Sequence, residues 1–184
     1  ECLDALLAQD APQGRYEIVY VDDASTDDSV DVVGSYGQVR VFIMPENRGQ
    51  AAARNLGLEH ARGEIILFTD ADCVPAPDWI SAMLRPFEDS DVQVDGAKGI
   101  YRTLQRSLVA QFAQVEYESR YERMRRAETI DFIDTYSAGY RADVLRAHGG
   151  FDPSFRIDED QELSFRLSEA GARLIFNPDA IVYH

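Results

Sequence analysis

The sequence predicts an α/β domain, a mostly parallel twisted sheet with helices on both faces. Two observations predict it. Through the first half, short β-branched or apolar runs alternate with stretches of helical period, which implies right-handed crossovers between parallel strands. One of those runs, Glu64-Ile65-Ile66-Leu67-Phe68-Thr69, is almost continuously apolar, as a strand covered on both sides must be.

The elements follow in order. Residues 1–9 open in a helix-like pattern. Residues 17–21 form a β-branched strand ending at Asp22-Asp23. Ser25 or Thr26 then caps a helix over 27–35, with carboxylates in its first turn where the helix dipole favours them. Residues 39–43 are the next strand, closed by Pro45. An Ala-rich helix spans 49–61 and Gly63 stops it. The strand at 64–69 ends at Asp70-Ala71-Asp72, and Pro77 opens a further helix. The second half is less regular. It reads as a strand over 92–101, a long charged helix over 107–127, a loop over 134–139, and a short helix broken at Gly149-Gly150. A helix near 160–170 and two short strands, 173–176 and 180–183, complete it. No repeat or linker divides the chain, so residues 1–184 read as a single domain.

Composition excludes several functions. With 45% hydrophobic residues, the 184-residue chain can bury a substantial core. A net charge of −15 argues against nucleic acid as a partner, because phosphate binding needs clustered Lys and Arg. Lys98 is the only lysine, which removes Walker-type phosphate loops and Schiff-base chemistry. Cys2 and Cys73 do not make a disulfide framework, in keeping with a reducing compartment. No apolar run reaches membrane-spanning length and no signal peptide is visible. The chain starts at Glu1 within a helical pattern and stops at His184 after an apolar run, so it reads as a fragment truncated at both ends.

The chemistry is expected beyond the carboxyl ends of the strands, where open α/β sheets bind ligands. Asp22-Asp23 and Asp70-x-Asp72 both fall there. Two carboxylates so placed can share a hard divalent cation, Mg²⁺ or Mn²⁺, completed by substrate phosphates. A single such pair serves as readily as a turn former or helix cap; two pairs after two strands shift the balance toward a site. Asp158-Glu159-Asp160 opens a helix, either as its N-terminal acids or with one carboxylate as a general base. Arg54 is either a surface residue or a partner for carboxylates or a diphosphate. The alternating Arg and Glu residues of 116–128 read as a solvated, salt-bridged helix face. His184 is a late metal ligand or merely a strand-end residue.

In order along the chain, ECLDALLAQ, EIVYVDDASTDDS, ENRGQAAARNLGLEHARGEIILFTDADCVPAPDWI and GGFDPSFRIDEDQELSFRLSEAGARLIFNPDAIVYH resemble the family 2 glycosyltransferases of GT-A (Rossmann-like) fold. The match spans nearly the whole chain and is weakest over 92–135. The resemblance implies inverting transfer of a sugar from a nucleotide diphosphate sugar, of UDP, dTDP or GDP type, to a glycan, lipid or other hydroxyl acceptor. It implies donor contacts at Asp22, Asp23, Arg54, Asp70 and Asp72, with a divalent metal on Asp72 and, in some members, His184. It makes Asp160 the catalytic base, and places Ser137, Gly139 and Glu159 in the acceptor region. The family's usual first strand is missing here, as is the Gln-x-x-Arg-Trp element of processive synthases. Nucleotide sugars are cytosolic, so the domain is expected to face the cytoplasm, with membrane association only through missing regions. The alternatives are a catalytically dead sugar-nucleotide-binding module and an aspartyl phosphohydrolase using Asp70, though that class would want a lysine downstream that the lone Lys98 fits badly.

Overall fold

A computed structural model describes residues 1–88 and 91–184. After a short opening helix, α1 (Cys2–Leu7), the first crossover runs as the sequence predicts. Strand β1 (Ile18–Asp22) leads through α2 (Ser29–Gly34) to β2 (Val39–Ile43), and the two strands pair in parallel. Helix α3 (Gln50–His60) then leads to β3 (Ile65–Phe68), the two-residue β4 (Val74–Pro75) and α4 (Trp79–Glu88). The remainder is β5 (Gly96–Arg102), α5 (Leu108–Met124), a 3₁₀ turn (Thr135–Ser137), β6 (Ala138–Arg141), α6 (Ala142–Ala147), α7 (Glu159–Glu169) and β7 (Leu174–Tyr183).

The strands form two sheets. β1 and β2 make a parallel pair, while the other five lie in the order β3-β6-β5-β7-β4. The α/β class is as expected, but the larger sheet is mixed rather than mostly parallel. Only β5 and β7 run parallel there; β6 is antiparallel to both β3 and β5, and β4 is antiparallel to β7. The cause is β6, read from sequence as a loop. Residues 138–141 are Ala, Gly, Tyr and Arg, with no β-branched residue to announce a strand. At Gly139 the neighbours come close enough to need a residue without a side chain. A Cβ on Gly139 would lie 2.9 Å from Leu67 of β3 and 3.0 Å from Met83 of α4.

Helices cover both faces of the larger sheet, as predicted. On one side Leu58 of α3, Leu145 of α6 and Leu163 and Leu167 of α7 pack with Ile66, Tyr140 and Leu174. On the other, Trp79, Ile80, Met83 and Phe87 of α4 pack with Ala97, Ala180 and Val182. Successive strand residues therefore enter opposite cores, as the pleat requires. The two short strands expected near the end are one element interrupted by a bulge. Lys98 opposes Phe176 but Ile100 opposes Ile181, and the Asn177 amide in the bulge donates to the Ala82 carbonyl at 2.8 Å.

Helix α5 has a cap, the Ser107 hydroxyl accepting from the Ala110 amide at 3.2 Å. Its expected ladder of salt bridges is sparse: within the helix region the pair seen is Arg125–Glu122 at 4.0 Å. Its N-terminal half instead shows Leu108, Val109, Phe112 and Val115 to solvent.

Candidate active site

Asp22 closes β1 with its side chain 1% exposed. Its Oδ2 accepts from the Ser25 amide at 2.9 Å, in a turn that holds Ala24 at φ 58°. Its Oδ1 has no hydrogen-bond partner among the described residues. A buried carboxylate oxygen without a partner is costly. Burial holds the Tyr20 phenol above its usual range, and the Asp22 and Asp27 carboxylates push it the same way.

Asp23 turns toward its own chain. Oδ1 accepts from the Arg48 amide at 2.7 Å and Oδ2 from the Gly49 amide at 2.8 Å. Asn47 donates to the Asp23 carbonyl at 3.1 Å. Gly49 stands at φ 90° immediately before α3, a conformation that favours glycine. The carboxylate thus fastens the end of β1 to the start of α3.

Arg54, one turn into α3, is 13% exposed and reaches two acids from different elements. One terminal nitrogen lies 3.4 Å from Asp70 Oδ1 after β3, and the other bonds Glu159 Oε1 in the first turn of α7. Gln50 accepts a further bond at 3.1 Å, and the guanidinium lies 5.6 Å from the Phe151 ring. Its neighbour Asn55 grips the Phe151 main chain in both directions, at 2.7 and 2.9 Å. Gly150, at φ 69°, passes so close to the Asn55 Oδ1 that a Cβ there would collide with it. The two residues together hold the loop after β3 and the approach to α7 against one helix.

The carboxylates of Asp70 and Asp72 and the Cys73 thiol offer ligand atoms within 4.8 Å of one another. Burial holds the Asp70 carboxyl above its usual range, Arg54 pulls it back, and Asp72 and Asp160 push it up again. Burial, with the Asp70 and Asp72 carboxylates, pushes the Cys73 thiol up to about 12. Cys2, whose thiol contacts the Asp70 carbonyl at 3.5 Å, is pushed up to about 11, chiefly by burial. The two carboxylates are the hard oxygen donors of this group. His184 stands beside Asp72: Nε2 lies 3.3 Å from Asp72 Oδ2, while Nδ1 meets the Tyr101 hydroxyl at 3.2 Å.

Asp160 stands at the start of α7, after Asp158 at φ 63°. Its Oδ1 accepts from the Gln161 amide at 2.9 Å. Its Oδ2 faces the Thr135 amide at 3.2 Å and the Thr135 hydroxyl at 3.4 Å. The carboxylate is held by these bonds and partly exposed.

Arg54 thus joins Asp70 to Glu159, the Asp72 and Asp160 carboxylates stand near Asp70, His184 contacts Asp72, and Asp23 bonds the loop that starts α3. Ser137, Gly139 and Glu159, expected in the acceptor region, are all buried. Ser137 is buried, accepting from the Trp79 indole at 2.9 Å and facing the Ala180 carbonyl. Gly139 is a buried strand residue between Leu67 and Met83. Glu159 is 4% exposed and engaged by Arg54. Lys98 is buried on the Asp134 carboxylate and is not the cation beside Asp70; that cation is Arg54. The aspartyl phosphohydrolase alternative thus lacks its lysine. Sequence reasoning missed Thr135, Asp134 and Tyr101 altogether. A lone lysine inside the apolar strand GAKGIY was the signal that pointed toward them.

Comparison with known proteins followed the same lines. The family model for "Glycosyl transferase family 2" matches residues 1–149. A pre-mycofactocin glycosyltransferase of Mycobacterium tuberculosis is 30% identical over 173 residues, 91% of this chain and 37% of that protein. Glycosyltransferase AglE of Haloferax volcanii is 26% identical across 100% of this chain and 61% of its own length. Among solved structures, the mannosyltransferase PcManGT of Pyrobaculum calidifontis, in complex with GDP-Man and Mn²⁺, superposes with a TM-score of 0.79 at 26% identity. That match covers 100% of this chain and 51% of PcManGT. S. aureus TarS gives the same TM-score, 0.79, at 22% identity, over 100% of this chain and 33% of its own, and so shares the fold. The chain spans about one-third to three-fifths of the length of these relatives.

Proposed function

The chain belongs to glycosyl transferase family 2, and from that membership we propose that its site transfers a sugar from a nucleoside diphosphate sugar to an acceptor hydroxyl, with inversion. The carrying observation is the Arg54 bridge between Asp70 and Glu159. It brings the acidic loop after β3 to the helix that bears Asp160.

Asp22 receives the nucleoside. Its unpartnered Oδ1 suits a ring N–H of uracil, thymine or guanine. Asp70 and Asp72, with His184 beside them, offer the oxygen donors that suit Mg²⁺ or Mn²⁺. Bound there, such a cation would offset charge building on the departing diphosphate, a Lewis-acid contribution. Arg54 keeps Asp70 aimed at that place. Asp160 takes the acceptor proton on a carboxylate oxygen as the acceptor oxygen bonds to the anomeric carbon. The bond from that carbon to the diphosphate oxygen breaks on the opposite side, with its electron pair leaving on the diphosphate. Direct displacement needs one base and no protein nucleophile, which fits a site rich in carboxylates. A glycan, lipid or other hydroxyl compound is the acceptor class, and donor supply places the domain on the cytoplasmic side. No helix among the described residues is long and apolar enough to cross a membrane.

Thermal unfolding of the full chain with UDP, dTDP or GDP, with and without Mn²⁺, tests this reading. A nucleotide at a hundred times its Kd adds about 2.7 kcal/mol by mass action. One of the three should raise Tm only when the cation is present, and Asp72→Ala should abolish that rise. No shift with any nucleotide would overturn the proposal.

A further inference from the structure

Lys98 is the only lysine, and it is 1% exposed in the middle of β5. A buried ammonium is costly unless paired. Its partners all come from one short segment. The ammonium meets the Asp134 carboxylate, lies 3.3 Å from the Tyr136 hydroxyl, and stands 5.1 and 5.0 Å from the rings of Phe132 and Tyr136. Residues 132, 134 and 136 alternate, so they turn one edge of the segment toward the cation. The residue between them, Thr135, gives its amide and hydroxyl to Asp160 Oδ2. On that other side the segment is also stitched to α7, the Ile133 amide donating to Ser164 Oγ at 3.0 Å and Ser164 Oγ to the Asp160 carbonyl at 2.7 Å. Gly99, next to Lys98, lets the 3₁₀ turn approach: a Cβ there would collide with Ser137 Oγ and the Ala180 carbonyl.

We propose that Lys98 is a positioning residue for the general base, fixing residues 132–136 so that Thr135 holds the Asp160 carboxylate in its reactive orientation. The inference rests on Asp160 being the base. The ammonium does not reach the acceptor; it acts by gathering an aromatic ring, a carboxylate and a phenol onto one point. Asp134 has no side-chain capping bond on its own turn, so Lys98 is its anchor. The groups facing the ammonium are Asp134 and Tyr136 from the segment, Asp160 from α7 and Arg120 from α5. Burial pulls its pKa down to about 7, Asp160 opposes that fall and Arg120 adds to it. The clamp is therefore charge-dependent, and it loosens as pH rises and the proton leaves.

The test uses the full chain in four forms: wild type, Lys98→Met, the double variant Lys98→Met/Asp134→Leu, and Asp160→Asn. The double variant removes both buried charges, a replacement that packed apolar groups often tolerate, so it guards against loss of folding in the single one. Crystal structures should show the Thr135–Asp160 contact opened beyond about 4 Å, outside hydrogen-bond reach. Donor turnover is followed by release of nucleoside diphosphate from UDP-glucose, UDP-N-acetylglucosamine and GDP-mannose with Mn²⁺. Its kcat should fall about 10- to 100-fold, the scale of a misplacement near 1 Å, with Kd for UDP or GDP unchanged within about twofold. The wild-type decline in kcat above about pH 7 should be absent from the double variant. A double variant that keeps both the contact and wild-type kcat overturns the proposal. Asp160→Asn separates the two readings: turnover retained there sinks the base assignment itself. Turnover lost there but kept in a folded double variant sinks only the role of Lys98.

Discussion

Single side chains at the site divide between binding and chemistry, and substitution separates them. Asp160→Asn removes the base but keeps a group that accepts from Thr135. Transfer should fall by about 10²- to 10⁴-fold, with nucleotide affinity retained in a calorimetric titration; Asp72→Ala should instead abolish cation-dependent binding. Asp70 carries a conflict between stability and function. Its carboxyl is raised in the fold, mainly by burial, so the folded state takes up that proton before the unfolded chain does. Stability linked to this group therefore rises as pH falls through the folded value, and at neutral pH the charged form works against the fold. Asp70→Asn should raise the Tm of the ligand-free protein at pH 7 and remove the nucleotide-induced shift. A Tm below that of wild type would show that the Arg54 contact outweighs burial.

Elements built on β-branched runs were legible from sequence, and those built on close approach were not. The strand at 39–43 was read with its observed bounds, because Val39, Val41, Phe42 and Ile43 announce it. Strand β6 was read as a loop, because Ala138 and Gly139 have no such signature. It is a strand by its pairing with β3 and β5, with close packing at Gly139. The same limit hid part of the site. The acids at strand ends and helix starts stood out by position, whereas the link from Lys98 to Asp134 joins residues on separate elements that no periodicity connects. Gly99 tests the point: Gly99→Ala places a methyl against Ser137 and the Ala180 carbonyl. We expect a loss of about 1–3 kcal/mol or more from this overpacking, read from the urea midpoint. An unchanged midpoint would mean that the 3₁₀ turn yields easily.

At the scale of the whole molecule, the net charge of −15 opposes the approach of an anionic nucleotide. Salt screens such repulsion over about 10 Å at 0.1 M. At saturating Mn²⁺, the association rate for UDP or GDP should therefore rise several-fold between about 20 and 300 mM NaCl, measured by stopped flow; a steep fall would point to local cations governing capture. The seclusion of Lys98 has one more consequence. No lysine reaches solvent while the fold is closed, so an acylating reagent finds no side-chain amine on the surface. Modification at this position can proceed only when β5 and its cover part company, and the rate of that labelling gives the chain a clock for its own breathing.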